Sequence, residues 1–94
     1  MKAVFTAGAF ADLNDVISYT LENYPQSAAS LDRCIRSVIA HIEAWPESAR
    51  LAEGYDGVRV IPLLRYPFKI FYRVDSNEIK ILHIRHAARD VWRE

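Results

Sequence analysis

The sequence of residues 57–86 is GVRVIPLLRYPFKIFYRVDSNEIKILHIRH, and it contains three runs that are rich in β-branched and aromatic residues. The runs span 58–64, 68–74 and 79–84. Such runs are typical of β-strands, and the breaks between them contain the proline, aspartate, serine and asparagine that favour turns. Because short connections join antiparallel neighbours, this stretch predicts a three-stranded antiparallel meander.

Upstream of the meander the hydrophobic pattern changes from strand to helix. Residues 2–6 form a short run that predicts a first strand. Two series of apolar residues, spaced three or four apart, then predict two helices that end at Pro25 and Pro46. The series are Phe10, Leu13, Ile17, Leu21 and Tyr24, followed by Leu31, Ile35, Val38, Ile42 and Trp45. Ser27 is a candidate N-cap of the second helix, and residues 46–57 are predicted to form a polar loop.

The predicted element order is therefore β-α-α-β-β-β, which belongs to the α+β class. Two consecutive helices with a short connection form a hairpin. We expect this helical hairpin to pack on one face of a small, mainly antiparallel sheet and to leave the other face partly free. At 94 residues the chain predicts a single domain that spans 1–94.

A chain this small leaves much of its surface exposed, so further support from a metal, a disulfide or a partner is expected. The single cysteine, Cys34, cannot form an internal disulfide or a cysteine-rich metal cluster. Its place in a helical pattern favours a buried structural thiol. The support that we expect is a partner chain.

The N-terminal segment is too short and too soon interrupted by Gly8 and Asp12 to form a signal peptide or a membrane span. The expected location is the cytoplasm, without a membrane partner. His41, His83 and His86 lack the spacing of metal ligands, and the sequence has no glycine-rich phosphate loop. We therefore expect neither a metal nor a cofactor.

Charge is distributed unevenly along a chain whose net charge is zero. Residues 1–56 contain four basic and eight acidic side chains, whereas residues 57–94 contain eight basic and four acidic ones. This asymmetry predicts a positive region that attracts an anionic partner, either nucleic acid or an acidic protein segment, although an ordinary solvated surface produces the same counts.

Basic and apolar residues are interleaved on the predicted strands, which suggests a working surface on the free face; a routine polar outer face is the alternative. Metal-free cleavage of RNA requires a group that activates the ribose hydroxyl and cations that stabilise the charged phosphorane. The side chains that could supply these roles are Arg65, Lys69, His86 and Arg89, together with Arg59. His86 is the natural acid or base among them.

Residues 57–90 resemble the ParE/RelE toxin superfamily, which includes plasmid stabilisation proteins. The resemblance depends on Arg59 at the start of a strand, on PFKIFYRV at 67–74, and on an isoleucine-rich last strand that ends in HAARD at 86–90. The N-terminal half is also similar to that family's helical hairpin, through residues 11–13, Pro25 and residues 45–46.

The resemblance implies a toxin of a type II toxin-antitoxin pair, which forms a hetero-oligomer with a cognate antitoxin. A disordered antitoxin segment that folds on contact covers a large area of a small protein. The candidate contacts with the antitoxin or the target are Arg59, Lys69, Arg73, His86, Arg89 and Trp92. For Tyr66, Tyr72 and Trp92 a place in the core is the first expectation.

The superfamily has two activities: ParE-like members poison DNA gyrase, and RelE-like members cleave messenger RNA on the ribosome. Ile61 stands where the nucleases often have lysine, and Trp92 is the only late aromatic residue. The ending at 86–90 is more similar to the ParE branch. The resemblance therefore favours a non-enzymatic gyrase inhibitor over a messenger RNA interferase, and a partner protein without toxicity is a third hypothesis.

Overall fold

The computed structural model describes residues 1–87 of the 94-residue chain. The elements are β1 (Lys2–Phe5), α1 (Ala7–Asn23), a 3-10 turn (Pro25–Ser27), α2 (Ala28–Ala44), β2 (Arg50–Leu51), β3 (Val58–Pro62), β4 (Phe68–Val74) and β5 (Glu78–His86). The predicted order of strands and helices is confirmed. The addition is β2, a two-residue strand in the segment that was predicted to be a loop.

The five strands form one sheet in the order β1-β5-β4-β3-β2. The meander of β3, β4 and β5 is antiparallel as predicted, and β2 also pairs antiparallel with β3. Only the pair of β1 and β5 is parallel among the described strands. The α+β prediction of a mainly antiparallel sheet is therefore confirmed.

A β-bulge interrupts the pairing of β4 with β5. Phe71 lies opposite His83 and Tyr72 lies opposite Ile81, so that Leu82 is an extra residue in β5. Ile81 and Ile84 both belong to the core beneath the helices, whereas Leu82 joins a second apolar cluster on the other side of the sheet. The extra residue thus keeps both halves of β5 in phase with the core.

Both helices pack on the same face of the sheet. The core beneath them consists of Ala9 from α1, Leu31, Ile35 and Ile42 from α2, Leu63 from the loop after β3, and Ile70, Tyr72, Ile79, Ile81 and Ile84 from β4 and β5. The small α1 residue Ala9 is completely buried, and Thr20 is also buried, with its hydroxyl satisfied by donating to the carbonyl oxygen of Val16 at 2.8 Å. Small side chains therefore bring α1 close to the strands.

The prediction of which α1 side chains face the sheet is correct in part and wrong in part. Leu13 and Ile17 pack against the core as expected, but Phe10, Leu21 and Tyr24 are 57%, 54% and 60% exposed. Helical spacing identifies an apolar stripe, yet it does not show which of two adjacent stripes faces the sheet. Here the stripe with the smaller side chains faces the strands.

The helix starts differ in how they are capped. The Thr6 hydroxyl accepts from the Ala9 N–H at 3.2 Å and caps α1, while it also donates to the carbonyl oxygen of Ile81 at 2.9 Å. Ser27, the predicted cap of α2, makes no side-chain capping hydrogen bond because it lies in the 3-10 turn with helical dihedral angles. The position of that helix start was predicted correctly and its mechanism was not.

At both outer edges of the sheet, some backbone N–H groups are already hydrogen-bonded or are absent. At β1, the Ala3 N–H donates to Oε2 of Glu43 at 2.8 Å, and the amino group of Met1 donates to the Glu43 carbonyl oxygen at 3.0 Å. At the other edge, β2 pairs with β3 only at Arg59 and Val60. Pro62, which lies beyond this pairing in β3, has no N–H to offer.

Tyr72 fastens the loop after α2 to the centre of the sheet. Its side chain is fully buried, and its hydroxyl donates to the carbonyl oxygen of Pro46 at 2.8 Å. Burial raises the pKa of the Tyr72 phenol above its ordinary value of 10.0, while the backbone of Ala49 and the charge of Arg59 oppose this shift in the pKa. The phenol is therefore held in its neutral, hydrogen-bonding form.

We expect Tyr72→Phe to lower the free energy of unfolding by about 1 kcal/mol in urea titrations at neutral pH, because the Pro46 carbonyl loses its donor. The stability that comes from the raised pKa of Tyr72 is complete below about pH 10 and is lost as the pH rises through the folded-state pKa. The variant should consequently lose less stability than the wild type at alkaline pH. Tyr19→Phe, at an exposed tyrosine, serves as the control. Equal alkaline losses in the wild type and in Tyr72→Phe would contradict this account.

Candidate functional site

The sheet face opposite the helices is called the open face, and its residues follow from the strand register. Residues that are paired across neighbouring strands point to the same face. Phe71 is paired with Val60 on β3, and Arg73 is paired with both Val58 and Lys80. The centre of this face is a small apolar cluster of Val58, Val60, Phe71 and Leu82, against which Ala52 and Tyr55 of the loop before β3 pack.

Basic residues surround that apolar cluster. Lys69 is two residues from Phe71 on β4 and is paired with Arg85 on β5. Arg73 lies on the other side of Phe71, beside Lys80. Five basic residues lie on this face or are paired across neighbouring strands with residues that do: Arg50, Lys69, Arg73, Lys80 and Arg85. The predicted basic face is therefore present on the described strands.

Two ion pairs on this face join close neighbours in the chain, whereas Arg85 lies 3.7 Å from Oδ1 of the distant Asp12 on α1. Nε of Arg73 lies 3.5 Å from Oδ1 of Asp75, and Nζ of Lys80 lies 3.6 Å from Oε1 of Glu78. These side chains are between about one third and one half exposed, and exposed pairs contribute at most about 1 kcal/mol. The cations can therefore exchange these carboxylates for the carboxylates or phosphates of a partner.

A groove of about 390 Å³ lies on the open face between β4 and the loop before β3. It is lined by Arg50, Ala52, Glu53, Tyr55, Val60, Lys69 and Phe71. Its apolar and aromatic walls suit an apolar side chain or a base, and its charged residues are the two cations Arg50 and Lys69 and the carboxylate of Glu53.

Arg59 does not lie with these cations, contrary to the expectation for the free face. It is paired with Tyr72 and points to the helix side, where its side chain is 19% exposed. Its guanidinium donates to the carbonyl oxygens of Ala49 at 2.7 Å and Glu47 at 3.2 Å. Arg59 thus holds the loop after α2, and through it β2, in place.

His86 lies on the helix side of the sheet as well. It is paired with Phe68, and the two rings meet edge to face with centroids 5.6 Å apart. It lines a cleft of about 420 Å³ together with Tyr19, Thr20, Tyr24, Ser27, Leu31, Tyr66, Pro67 and Phe68. The structure therefore places His86 and Lys69 on opposite faces of the sheet.

The remaining predicted residues are dispersed. Arg65 is exposed in the loop between β3 and β4. Tyr66 is partly buried, with its hydroxyl 2.8 Å from Oγ of Ser30, and Tyr72 is in the core as expected. Arg89 and Trp92 lie outside the described residues. Of the candidate ribonuclease set, Lys69 and His86 are thus separated by the sheet.

The sequence did not reveal the role of one acidic residue, Asp12 of α1. Its Oδ2 lies 3.0 Å from Nδ1 of His83 and accepts the N–H of Ile84 at 3.0 Å, and its Oδ1 lies 3.7 Å from Arg85. The pairing of β1 with β5 stops at Ile81, so Asp12 takes over the edge of β5 where β1 ends. These partners are about 70 residues away in the chain, and no local pattern indicates such a contact.

Within residues 1–87 there is neither a cluster of metal-binding side chains nor a membrane-spanning helix. Groups of three or more histidine, cysteine, aspartate or glutamate side chains that could hold a metal ion do not occur in this part of the chain. Neither described helix has the length and apolar character needed to cross a membrane.

We expect Asp12→Ala to lower the free energy of unfolding by about 2 kcal/mol, because it removes an acceptor that serves both an imidazole and a backbone N–H. Asp12→Asn keeps an acceptor without the charge and should cost about half as much. The measurement is urea unfolding, with Asp15→Ala at an exposed position of the same helix as the control. Equal effects of Asp12→Ala and Asp15→Ala would show that the contacts of Asp12 with β5 do not stabilise the fold.

Comparison with known protein families identifies a match over residues 3–91 to the ParE toxin of the type II toxin-antitoxin system parDE. Among characterised relatives, the chain is 30% identical over 89 residues to Toxin RelE2 of Caulobacter vibrioides, which covers 94% of this chain and 97% of the relative.

Solved structures agree on the fold. The chromosomal ParDE toxin-antitoxin system from P. aeruginosa contains a chain that matches with a TM-score of 0.80 and 27% identity, over 92% of this chain and 95% of that one. The YoeB/ParE toxin from Agrobacterium tumefaciens matches with a TM-score of 0.58 and 17% identity, over 92% and 98% of the two chains. This second likeness concerns the fold alone. From the family match over residues 3–91 of the 94-residue chain, we conclude that the protein belongs to the ParE toxin family and is a toxin of a type II toxin-antitoxin system.

Proposed function

We propose that this toxin acts by binding DNA gyrase in the cytoplasm, without catalysis, and that its cognate antitoxin neutralises it by covering the open face. The observation that carries the proposal is the arrangement of cations around an apolar centre on one sheet face, with His86 on the other. Such a face suits macromolecular binding, because the centre supplies buried area and the charged rim supplies orientation.

Antitoxin binding fits the chemistry of the open face. Lys69 and Arg73 flank Phe71, so that an acidic segment with alternate apolar side chains can bury its apolar groups while its carboxylates meet the rim. A segment that folds on contact loses conformational entropy. The large area that it buries on the toxin offsets this loss. Arg89 and Trp92 remain proposed contacts of the antitoxin or the target.

The non-enzymatic mode is supported by the positions of the candidate ribonuclease residues. A general acid or base must lie within hydrogen-bonding reach of the atoms on which it acts, together with the cations that stabilise the phosphorane. Lys69 and His86 face opposite sides of the sheet. Ile61, which stands where the nucleases often have lysine, packs against the core on the helix side.

Ribosome-dependent cleavage of messenger RNA is the second candidate. Lys69 and Arg85 are paired on neighbouring strands, so a phosphate that replaced Asp12 beside Arg85 would meet two adjacent cations. The relative from Caulobacter vibrioides also has the name Toxin RelE2. In this mode the nucleic acid would bind on the open face, on the opposite side of the sheet from His86.

We expect the purified protein to inhibit supercoiling by gyrase and to leave messages intact in a translating extract. The double substitution Lys69→Ala with Arg73→Ala should raise the inhibitory concentration about tenfold or more, because it removes two charges that flank the apolar centre. Arg36→Ala removes an exposed cation from α2 and should have no effect.

The same preparations separate the two candidates. Mapping of RNA ends in the extract would reveal cleavage at codons in the ribosomal A site. Cleavage with unimpaired supercoiling would exclude gyrase as the target, and its loss in His86→Ala would establish a catalytic role for that histidine. An effect on neither system would reject both candidates.

A further inference from the structure

The cleft of about 420 Å³ beside His86 lies on the helix side of the sheet, where the ends of several elements meet. The helix α1 and its C-cap contribute Tyr19 and Tyr24 to the walls, and the start of β4 contributes Phe68. The volume is within the range of about 300–1,000 Å³ that is usual for binding pockets. Because the open face is on the other side of the sheet, this cleft is a separate surface.

The aromatic rings of this cleft are arranged in two edge-to-face pairs. The ring centroids of Tyr19 and Tyr24 are 6.5 Å apart, and those of Phe68 and His86 are 5.6 Å apart. Such contacts favour particular orientations of the rings. The cleft therefore offers preformed ring faces and edges to a further aromatic group.

The cleft is apolar and open to solvent. Tyr19 and Tyr24 are 52% and 60% exposed, whereas Leu31, which also lines the cleft, is buried. Within residues 1–87, the side chains that line it include neither a carboxylate nor a lysine or arginine. An uncharged aromatic side chain suits these walls best, because it gains ring contacts in addition to buried apolar area.

The last described residue, Ala87, lies at the rim of this cleft. His86 is paired with Phe68 at the end of β5, and the Ala87 N–H donates to the carbonyl oxygen of Pro67 at 2.6 Å. His86, Phe68 and Pro67 all line the cleft. The chain that follows Ala87 therefore starts beside the cleft.

The sequence after Ala87 supplies an aromatic side chain of the kind that fits. Residues 88–94 are ARDVWRE, in which Trp92 is the one aromatic residue. Five residues of chain span at most about 18 Å, so Trp92 can reach the cleft from the position of Ala87. Val91 beside it adds a second apolar side chain.

The covalent connection favours this occupant over others. A tryptophan from a second copy of the chain, or a free aromatic compound, offers the same chemistry to the walls. A short flexible tether, however, gives an effective concentration in about the millimolar range. An untethered competitor of equal affinity must approach that concentration to displace Trp92.

We propose that in the toxin without a partner the C-terminal segment folds back, so that Trp92 occupies this aromatic cleft. The contact shields Tyr19 and Tyr24 from solvent, and a partner can bind the indole only after Trp92 leaves the cleft. The inference does not depend on whether the target is gyrase or the ribosome, because the cleft and the open face lie on opposite sides of the sheet.

The test follows the fluorescence of Trp92 in the full-length chain. Trp45→Phe removes the only other tryptophan of the sequence, which is 65% exposed. We expect acrylamide to quench Trp92 at least about threefold less than it quenches N-acetyltryptophanamide, which corresponds to a docked population of about two thirds or more.

Substitutions in the wall provide the matched comparison. In the Trp45→Phe background, Tyr24→Ser should lower the equilibrium constant for docking about tenfold, since tyrosines are frequent anchors of binding surfaces. Phe10→Ser removes an aromatic side chain of α1 that is 57% exposed and lies outside the cleft, so it should have no effect. Lys69→Ala with Arg73→Ala should also preserve the protection, although it weakens the inhibition of gyrase.

One further measurement needs no substitution. NMR cross-relaxation between the indole of Trp92 and the ring of Tyr24 or Phe68 is expected in the wild type. The proposal is overturned if Trp92 is quenched as readily as N-acetyltryptophanamide, or if Tyr24→Ser and Phe10→Ser change the quenching equally. It is also overturned if the protection disappears on dilution, because a second copy would then supply the indole.

Discussion

Side chains of β4 alternate between two apolar clusters, and this alternation organises both the scaffold and the binding face. Ile70 and Tyr72 point to the core beneath the helices, whereas Phe71 points to the cluster on the open face. A strand that is apolar on both sides must lie in the middle of the sheet, and β4 does. Lys69 and Arg73 share the phase of Phe71, so they are placed beside an apolar centre instead of against the helices.

Much of the fold follows from local pattern. Prolines and turn residues divide the chain into the observed helices and the strands of the meander, because these residues act through their own backbone geometry. The strand β2 was missed because two residues at the edge of a sheet leave no periodic signal. The orientation of α1 was missed because its two apolar stripes are adjacent, and the choice between them depends on how closely Ala9 and Thr20 allow the helix to approach the sheet.

The basic character of the candidate site could be predicted from the sequence, but the residues that form it could be predicted only in part. A basic second half of the chain predicted a basic face, and Lys69 and Arg73 lie on it. Arg59 was expected there because it is interleaved with apolar residues in the same way, but its phase in β3 turns it to the helix side. Sequence alternation separates two faces without saying which face is covered. The hydrogen bonds of Asp12 with His83 and Ile84 join distant parts of the chain, and hydrophobic periodicity cannot indicate such contacts.

Glu43 and Pro62 affect how copies of this protein interact at high concentration. Both reduce the number of unpaired backbone N–H groups at the margins of the sheet. Sheets that offer unsatisfied backbone groups along their margins can stack laterally into fibrils. Here the amide of Ala3 already has an acceptor, and Pro62 interrupts the donor row on the far margin. Addition of a further strand is thereby disfavoured at these two positions on the margins of the sheet.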